Sequence, residues 1–448
     1  MIAHLRLPGV LGSLNWISLL WVSSLLSGFF AFLAQVLIAR SFPVSDYGAF
    51  SAAYRLVSLL APVAGFGVGA CWLRLFGKEG SAARRWIRPS LILVSCTSLL
   101  AAGIALVVGA VAGPSERTAG LTYLLTPLLL FWGFSELGKA AFQLEGRYGA
   151  LAFWESAFGL GCFLVAGLAW LGGWSVHLLA TGLSLLGLAI ASFHGRRVLQ
   201  MTSARPGAAS EAFQAPAPGA RECAPPDPRD VAREAWSFAL GGVFYLVYYQ
   251  AGIVLVAWME GAEAAGIYNA ALTAAAAVYL LPDAVFQKFL MPKIQRWAEH
   301  DRERFIRVYR FGNGAMLASG LVWMLGLGLG GLTVLPWVFG AAYQESGRVL
   351  LILALCVPVR FLGVSVGSAL VTGGHMPKKN RYHGIGALAN VVLNVVLIPG
   401  LGVYGAAWSA VLTEAILLLL FLHGVRSHVL GSCALQDWNV RLESLRGS

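Results

Sequence analysis

The stretch GRRVLQMTSARPGAASEAFQAPAPGARECAPPDPRDVARE, residues 195–234, decides how this chain is organised. It is the one long polar segment in 448 residues that are 58% hydrophobic and only 12% charged. It contains Ala215-Pro216-Ala217-Pro218 and Pro225-Pro226 and shows no apolar periodicity, so it reads as a disordered linker. On either side lie six apolar runs, each of the length a helix needs to cross roughly 30 Å of hydrocarbon. They fall at roughly 14–39, 45–73, 88–112, 118–138, 150–171 and 175–194, then 235–258, 264–287, 311–330, 346–371, 383–399 and 403–424. The expectation is an all-α polytopic membrane protein of about 12 transmembrane helices. Residues 1–194 form one six-helix lobe and 235–426 the other, with 195–234 as linker and 427–448 as a polar tail.

The gaps between the runs carry their charge unevenly. Of the 32 Lys and Arg residues, 26 lie in every second gap or at the two ends, and only Arg40 and Arg117 lie in the other gaps. Short loops rich in Lys and Arg stay cytoplasmic. This places both termini and the linker inside, in a cytoplasmic (inner) membrane. The opposite gaps hold the acids Asp46, Glu116, Glu260, Glu263 and Glu345. The net charge of +11 therefore belongs to one membrane face, where anionic lipid is the natural partner, and does not call for nucleic acid. The first run is too long for a cleavable signal and reads as a retained helix. Six cysteines without a C-x-x-C pair predict neither a disulfide framework nor a zinc site.

The halves echo each other. Asp46-Tyr47-Gly48 opens the second run and Gly266-Ile267-Tyr268 the eighth. Both halves start in the same direction, so the repeat is parallel, with its axis near the membrane normal. Two such pseudo-symmetric lobes around a central cleft is a transporter plan. Pro62 and Pro282 interrupt matching runs, and the run Gly65-Phe66-Gly67-Val68-Gly69 permits close packing and bending. H-E-x-x-H, G-x-S-x-G, Walker A and acidic metal clusters are all missing, so no catalytic group, metal or cofactor is expected and the chain does not hydrolyse ATP. A membrane glycan polymerase or ligase needs a sizeable outer loop, and the longest outer gap is only about 331–345.

A charge inside the bilayer is expensive and marks function or a named partner. Arg55 lies nine residues into its run, roughly 13 Å deep at 1.5 Å per residue. It is either an anion-binding group in a water-filled cleft or a structural arginine bonded to neighbouring carbonyls. The guanidinium fork suits phosphate. Arg360 and Glu414 lie deep in the second lobe and form either an ion pair between runs 10 and 12 or a coupling site. Gln35 and Gln250 occupy corresponding places in runs 1 and 7 and line the cleft or act as packing glue, with Asn269 as a further cleft candidate. Asn390 and Asn394, four apart, share one helix face and point to interhelical hydrogen bonding. Arg74, Glu136, Glu155, Arg348 and Asp283 fall near an interface.

Three stretches carry a resemblance. Ala39-Arg40-Ser41-Phe42-Pro43-Val44-Ser45-Asp46-Tyr47-Gly48, leading to Ala64-Gly65-Phe66-Gly67, resembles the opening of polysaccharide (O-antigen and exopolysaccharide) flippases. These belong to the multidrug/oligosaccharidyl-lipid/polysaccharide exporter superfamily. Gly266-Ile267-Tyr268-Asn269-Ala270-Ala271, followed by Pro282 and Met291-Pro292, resembles that family's second-lobe opening. Asn390 to Pro399, continuing through Gly400-Leu401-Gly402-Val403-Tyr404-Gly405, resembles its last turn. The resemblance implies flipping of an undecaprenyl-pyrophosphate-linked oligosaccharide by alternating access, with polysaccharide polymerase and glycosyltransferases as candidate partners. A drug or metabolite exporter of the same superfamily is the alternative. Many family members carry an acid in run 7 where this chain has Tyr248-Tyr249-Gln250, so proton coupling does not transfer to that helix. Relatives that flip the peptidoglycan precursor resemble it less, since they add two C-terminal spans.

Overall fold

The computed structural model describes residues 10–113, 115–203, 226–282, 294, 297–298, 300–372 and 375–431. Every regular element among them is helical. The first lobe comprises α1 (Val10–Ser41), α2 (Val44–Leu59), α3 (Ala61–Gly65), α4 (Val68–Glu79), α5 (Ile87–Ala112), α6 (Glu116–Leu125), α7 (Leu128–Leu144), α8 (Tyr148–Gly172) and α9 (Val176–Ser203). The second comprises α10 (Pro228–Met259), α11 (Ala262–Pro282), α12 (Arg302–Gly331), α13 (Val334–Phe339), α14 (Gln344–Ala354), α15 (Cys356–Ala369), α16 (Met376–Leu401) and α17 (Val403–Val425).

Among the described residues nine helical units have the length and hydropathy to cross a membrane, and the pair ending in α14 and α15, bent by 42°, makes a tenth. One unit, Val44–Val111, has 68 residues. As a straight helix it would run about 100 Å, so it must cross twice, turning at the 3-10 turn Gly80–Trp86. The Ala-rich α11 has 21 residues, the length needed to cross the hydrocarbon. Within the lobes α1 packs along α8, α7 along α9, α10 along α16, and α12 along α15. Between the lobes α2 lies along α11, and α10 runs against α2, α3 and α4.

Two sequence expectations change. The linker expected over 195–234 is helical at both edges, because α9 continues to Ser203 and α10 begins at Pro228. Charge contacts hold the extended ends: Arg197 donates to Glu145 at 2.5 Å, and Arg74 pairs with Glu234. Asp227 supplies the start signal, its backbone N–H bonded to the Asp230 carboxylate at 3.0 Å with Pro228 in the first turn. Residues 204–225 of that expected linker, the tail from 432 onward, Asp283 and Met291-Pro292 lie outside the described residues.

The second run is not one helix. Leu60 interrupts it, and Phe66 (φ 50°) and Gly67 (φ 65°) turn left-handed before α4 starts. A break inside hydrocarbon needs its carbonyls satisfied. The Ala64 carbonyl accepts from Thr97 Oγ1 at 2.8 Å and from Ser98 Oγ at 3.4 Å, both on α5.

The repeat motifs meet each other in space. A Cβ on Gly48 would lie 1.7 Å from the Ala262 carbonyl oxygen, and one on Gly266 would lie 2.5 Å from that of Val44. The backbones of α2 and α11 therefore touch, and only glycine allows it. Gly48→Ala should lower the thermal unfolding midpoint of the purified protein, with a cost of about 1–3 kcal/mol for overpacking against backbone. Gly77→Ala is the control, since a Cβ there meets nothing within 4 Å. Equal midpoints for the two variants would contradict the close approach.

Candidate functional site

The α2–α11 contact carries a polar seam. On α2, Tyr47, Ser51, Arg55 and Ser58 follow at spacings of four, four and three, which puts them on one helix face. That face meets α11 and α10 of the other lobe. Asn269 on α11, 1% exposed, is the hub. Its Nδ2 donates to the Tyr47 hydroxyl at 2.8 Å and Ser51 Oγ at 2.9 Å, and reaches Gln35 Oε1 at 3.4 Å. Its Oδ1 accepts from Arg55 Nη2 at 3.4 Å. Tyr47 also donates to Gln35 Oε1 at 3.2 Å. One turn along from Arg55, Ser58 donates to Gln250 Oε1 on α10.

The structure thus brings Gln35, Arg55, Asn269 and Gln250 to one inter-lobe seam. Arg55 is half-buried there, and among the described residues no carboxylate stands within ion-pair distance of it. Its guanidinium donates instead to a neutral amide. Tyr47, Ser51 and Ser58 are additions to the sequence reading. Their helical spacing with Arg55 was the available signal.

Contacts between the lobes flank the seam at both ends. At the end nearest Asp46, the Arg40 guanidinium donates to the Trp337 carbonyl and, at 2.7 Å, to that of Val338. Tyr343 donates to the Ala39 carbonyl at 3.2 Å and meets Tyr47 edge-on at 5.8 Å. At the basic end Arg74 pairs with Glu234, and Phe66 meets Trp236 at 6.2 Å.

Arg360 and Glu414 stand apart from this seam, inside the second lobe. Arg360 Nη1 lies 2.8 Å from Glu414 Oε1, with side chains only 6% and 12% exposed. The same guanidinium donates to Tyr248 at 3.0 Å and Tyr245 at 3.1 Å. It lies over the rings of Tyr279 and Tyr249, at 4.6 and 4.9 Å. Three of the five guanidinium N–H donors are bonded in this way, and aromatic rings flank the group. Beside it Asn390 donates to Thr413 on α17 at 3.2 Å, and Asn394 bonds back to the Asn390 carbonyl at 2.8 Å. Tyr245, Tyr248 and Tyr249, spaced for one face of α10, are the missed signal of this cage.

Removing one partner of such a pair leaves the other charged and dry. Arg360→Ala should cost about 3–5 kcal/mol in unfolding free energy, and the double variant Arg360→Ala/Glu414→Ala should recover part of that loss. Denaturation of the two in detergent decides it. A double variant less stable than Arg360→Ala would mean that the cage, not the charge balance, sets the cost.

A model of the family described as polysaccharide biosynthesis protein matches residues 14–295, more than half of the chain. No protein of curated description matches the sequence. Among solved structures, a lipid II flippase MurJ in an inward closed conformation is similar, with TM-score 0.69 and 13% identity over 91% of this chain and 87% of that one. The MATE multidrug transporter DinF-BH, in complex with R6G, gives TM-score 0.63 and 13% identity over 96% and 98%. A transporter from Pyrococcus furiosus, assigned to the multidrug/oligosaccharidyl-lipid/polysaccharide superfamily, gives 0.60 and 13% over 93% and 95%. At these identities the likeness establishes the two-lobed fold.

Proposed function

Because the chain belongs to the polysaccharide biosynthesis protein family, we propose that it flips a lipid-linked oligosaccharide, carried on undecaprenyl pyrophosphate, between membrane leaflets by alternating access. The observation that carries this reading is Arg55, a cation in the inter-lobe seam without a carboxylate partner among the described residues. A pyrophosphate cannot cross hydrocarbon unaided, since an isolated charge costs tens of kcal/mol there. A guanidinium at mid-depth offsets that cost and fits two phosphate oxygens at once. The amides of Gln35, Asn269 and Gln250 both donate and accept, which suits a hydroxyl-rich glycan.

The basic loops set the direction. They keep the linker and both termini on the cytoplasmic side of a cytoplasmic membrane, so the substrate enters from the inner leaflet. Opening the basic end then means parting Arg74 from Glu234 and Phe66 from Trp236. Opening the other end means parting Arg40 from α13 and α2 from α11. An exporter of cationic drugs would place an acid in the seam, and the described residues of the seam include none. The chain acts as a transporter and not an enzyme, downstream of glycosyltransferases and upstream of a polysaccharide polymerase.

Arg55→Ala should abolish glycan export while the protein still inserts, and Arg55→Lys, which keeps charge but loses the fork, should retain part of it. Deletion of the gene should leave a lipid-linked glycan on the cytoplasmic leaflet, identified by mass spectrometry of extracted lipid. Normal export by Arg55→Ala, or no such lipid in the deletion strain, would refute the reading.

A further inference from the structure

An apolar groove shares two helices, α1 and α11, with the polar seam. It has a volume of about 220 Å³ and is lined by residues of α1, α11, α12, α13 and α14, without one polar side chain. Phe32 on α1 forms one wall, a single turn from Gln35 and on the same helix face. Ala277 on α11 forms another, eight residues and so about two turns from Asn269 on the same face. Gly326 and Gly330 on α12 form the third. The flank of α12 next to them presents Leu325 and Leu329 outward, the latter 83% exposed, as a lipid-facing surface does.

The glycine at 326 has no packing reason to be there. A Cβ on it would meet nothing within 4 Å, unlike those of Gly48 and Gly266. Its missing side chain leaves the groove open. An apolar cavity above about 150 Å³ accepts an apolar guest. This one has about seven times the ~30 Å³ share of one liquid water, room for roughly one to two five-carbon units.

We propose that this groove holds the head-proximal isoprenoid segment of the transported lipid, an inference that rests on the flippase reading above. Two observations choose this occupant over a bilayer acyl chain. Two of the groove's walls, Phe32 and Ala277, stand on the helices that carry Gln35 and Asn269 of the seam. The seam offers an anion partner, Arg55, so the site fits an amphiphile whose charged head joins directly to an apolar tail. The groove gives that tail an apolar exit beside the head. Without it the first units would lie in the hydrated seam, losing the gain that each buried methylene brings.

The test measures binding to the full chain in nanodiscs of phosphatidylethanolamine and phosphatidylglycerol. The probes are undecaprenyl pyrophosphate and tail-free inorganic pyrophosphate. Gly326→Phe and, from the opposite wall, Ala277→Phe should weaken the first about tenfold or more and leave the second unchanged. Arg55→Ala should weaken both. A photoreactive residue at Leu327 should label undecaprenyl pyrophosphate, and excess of that lipid should remove any phospholipid adduct. If Arg55→Ala weakens both probes while neither groove variant changes either, the anion site stands and the groove assignment falls. If Arg55→Ala changes neither probe, the flippase reading fails and the groove assignment with it. A phospholipid adduct that undecaprenyl pyrophosphate does not displace also overturns the proposal.

Discussion

Inside hydrocarbon a polar group has no water to bond, and each unsatisfied one costs several kcal/mol. The architecture of this chain is a set of local answers to that constraint. The break after α3 frees the Ala64 carbonyl, and two hydroxyls of α5 take it up. Asn390 finds Thr413, and Asn394 turns back on its own helix. Arg360 is answered most fully, by Glu414, two tyrosine hydroxyls and two ring faces. Against this background Arg55 differs in kind. Its charge meets a neutral amide at 3.4 Å, a long and weak contact. The same chain that gives one membrane arginine a carboxylate and two hydroxyls leaves the other with a single amide, at the junction of the lobes.

That junction has to be tight and also separable. The backbone contact at Gly48 and Gly266 makes it tight without interlocking side chains. Helices joined through small residues gain from dispersion and lose little when they part, because lipid is as apolar as the helix surface. The polar part of the seam consists of amides, hydroxyls and one guanidinium. Water replaces such bonds at small net cost once the seam is hydrated. Arg360 is bonded within its own lobe, so its stronger ion pair does not tie the lobes together. The buried ion pair thus lies inside a lobe, and the bonds of the seam between the lobes are of the kind water can replace.

The sequence made the lobes legible because run length, charge placement and composition need no tertiary context. Twelve runs and a polar divider are countable, and the repeat at Gly48 and Gly266 was visible as a repeat. That the two motifs touch was not visible, since contact between helices depends on how both lobes pack. The seam was half legible: Arg55, Gln35, Asn269 and Gln250 stand out as polar residues in apolar runs, whereas Ser51 and Ser58 pass as ordinary membrane serines. The tyrosine cage was missed for a different reason. Tyr248-Tyr249 read as the loss of an acid, and its partner Arg360 lies 112 residues from Tyr248. The linker edges were misjudged because a polar segment with prolines was read as one unit, although Asp227-Pro228 is itself a helix start.

The two halves of an amphiphile place opposite demands on a membrane protein, and in this fold a polar seam and an apolar wall stand one or two helical turns apart. Along α1 the step from Gln35 to Phe32 passes from the hydrogen-bonded seam to an apolar wall. Along α11 the step from Asn269 to Ala277 does the same. Asn269, which accepts from Arg55, thereby lies about 12 Å along α11 from that apolar wall, at 1.5 Å per residue. The head needs a hydrated, cationic surrounding, and the tail must not leave hydrocarbon. A cleft closed on all sides could satisfy the first and would violate the second, so a substrate of this class requires a cleft with a lateral apolar opening beside its charge. The glycines of α12, free of any neighbour at Gly326, are what keep that side open here.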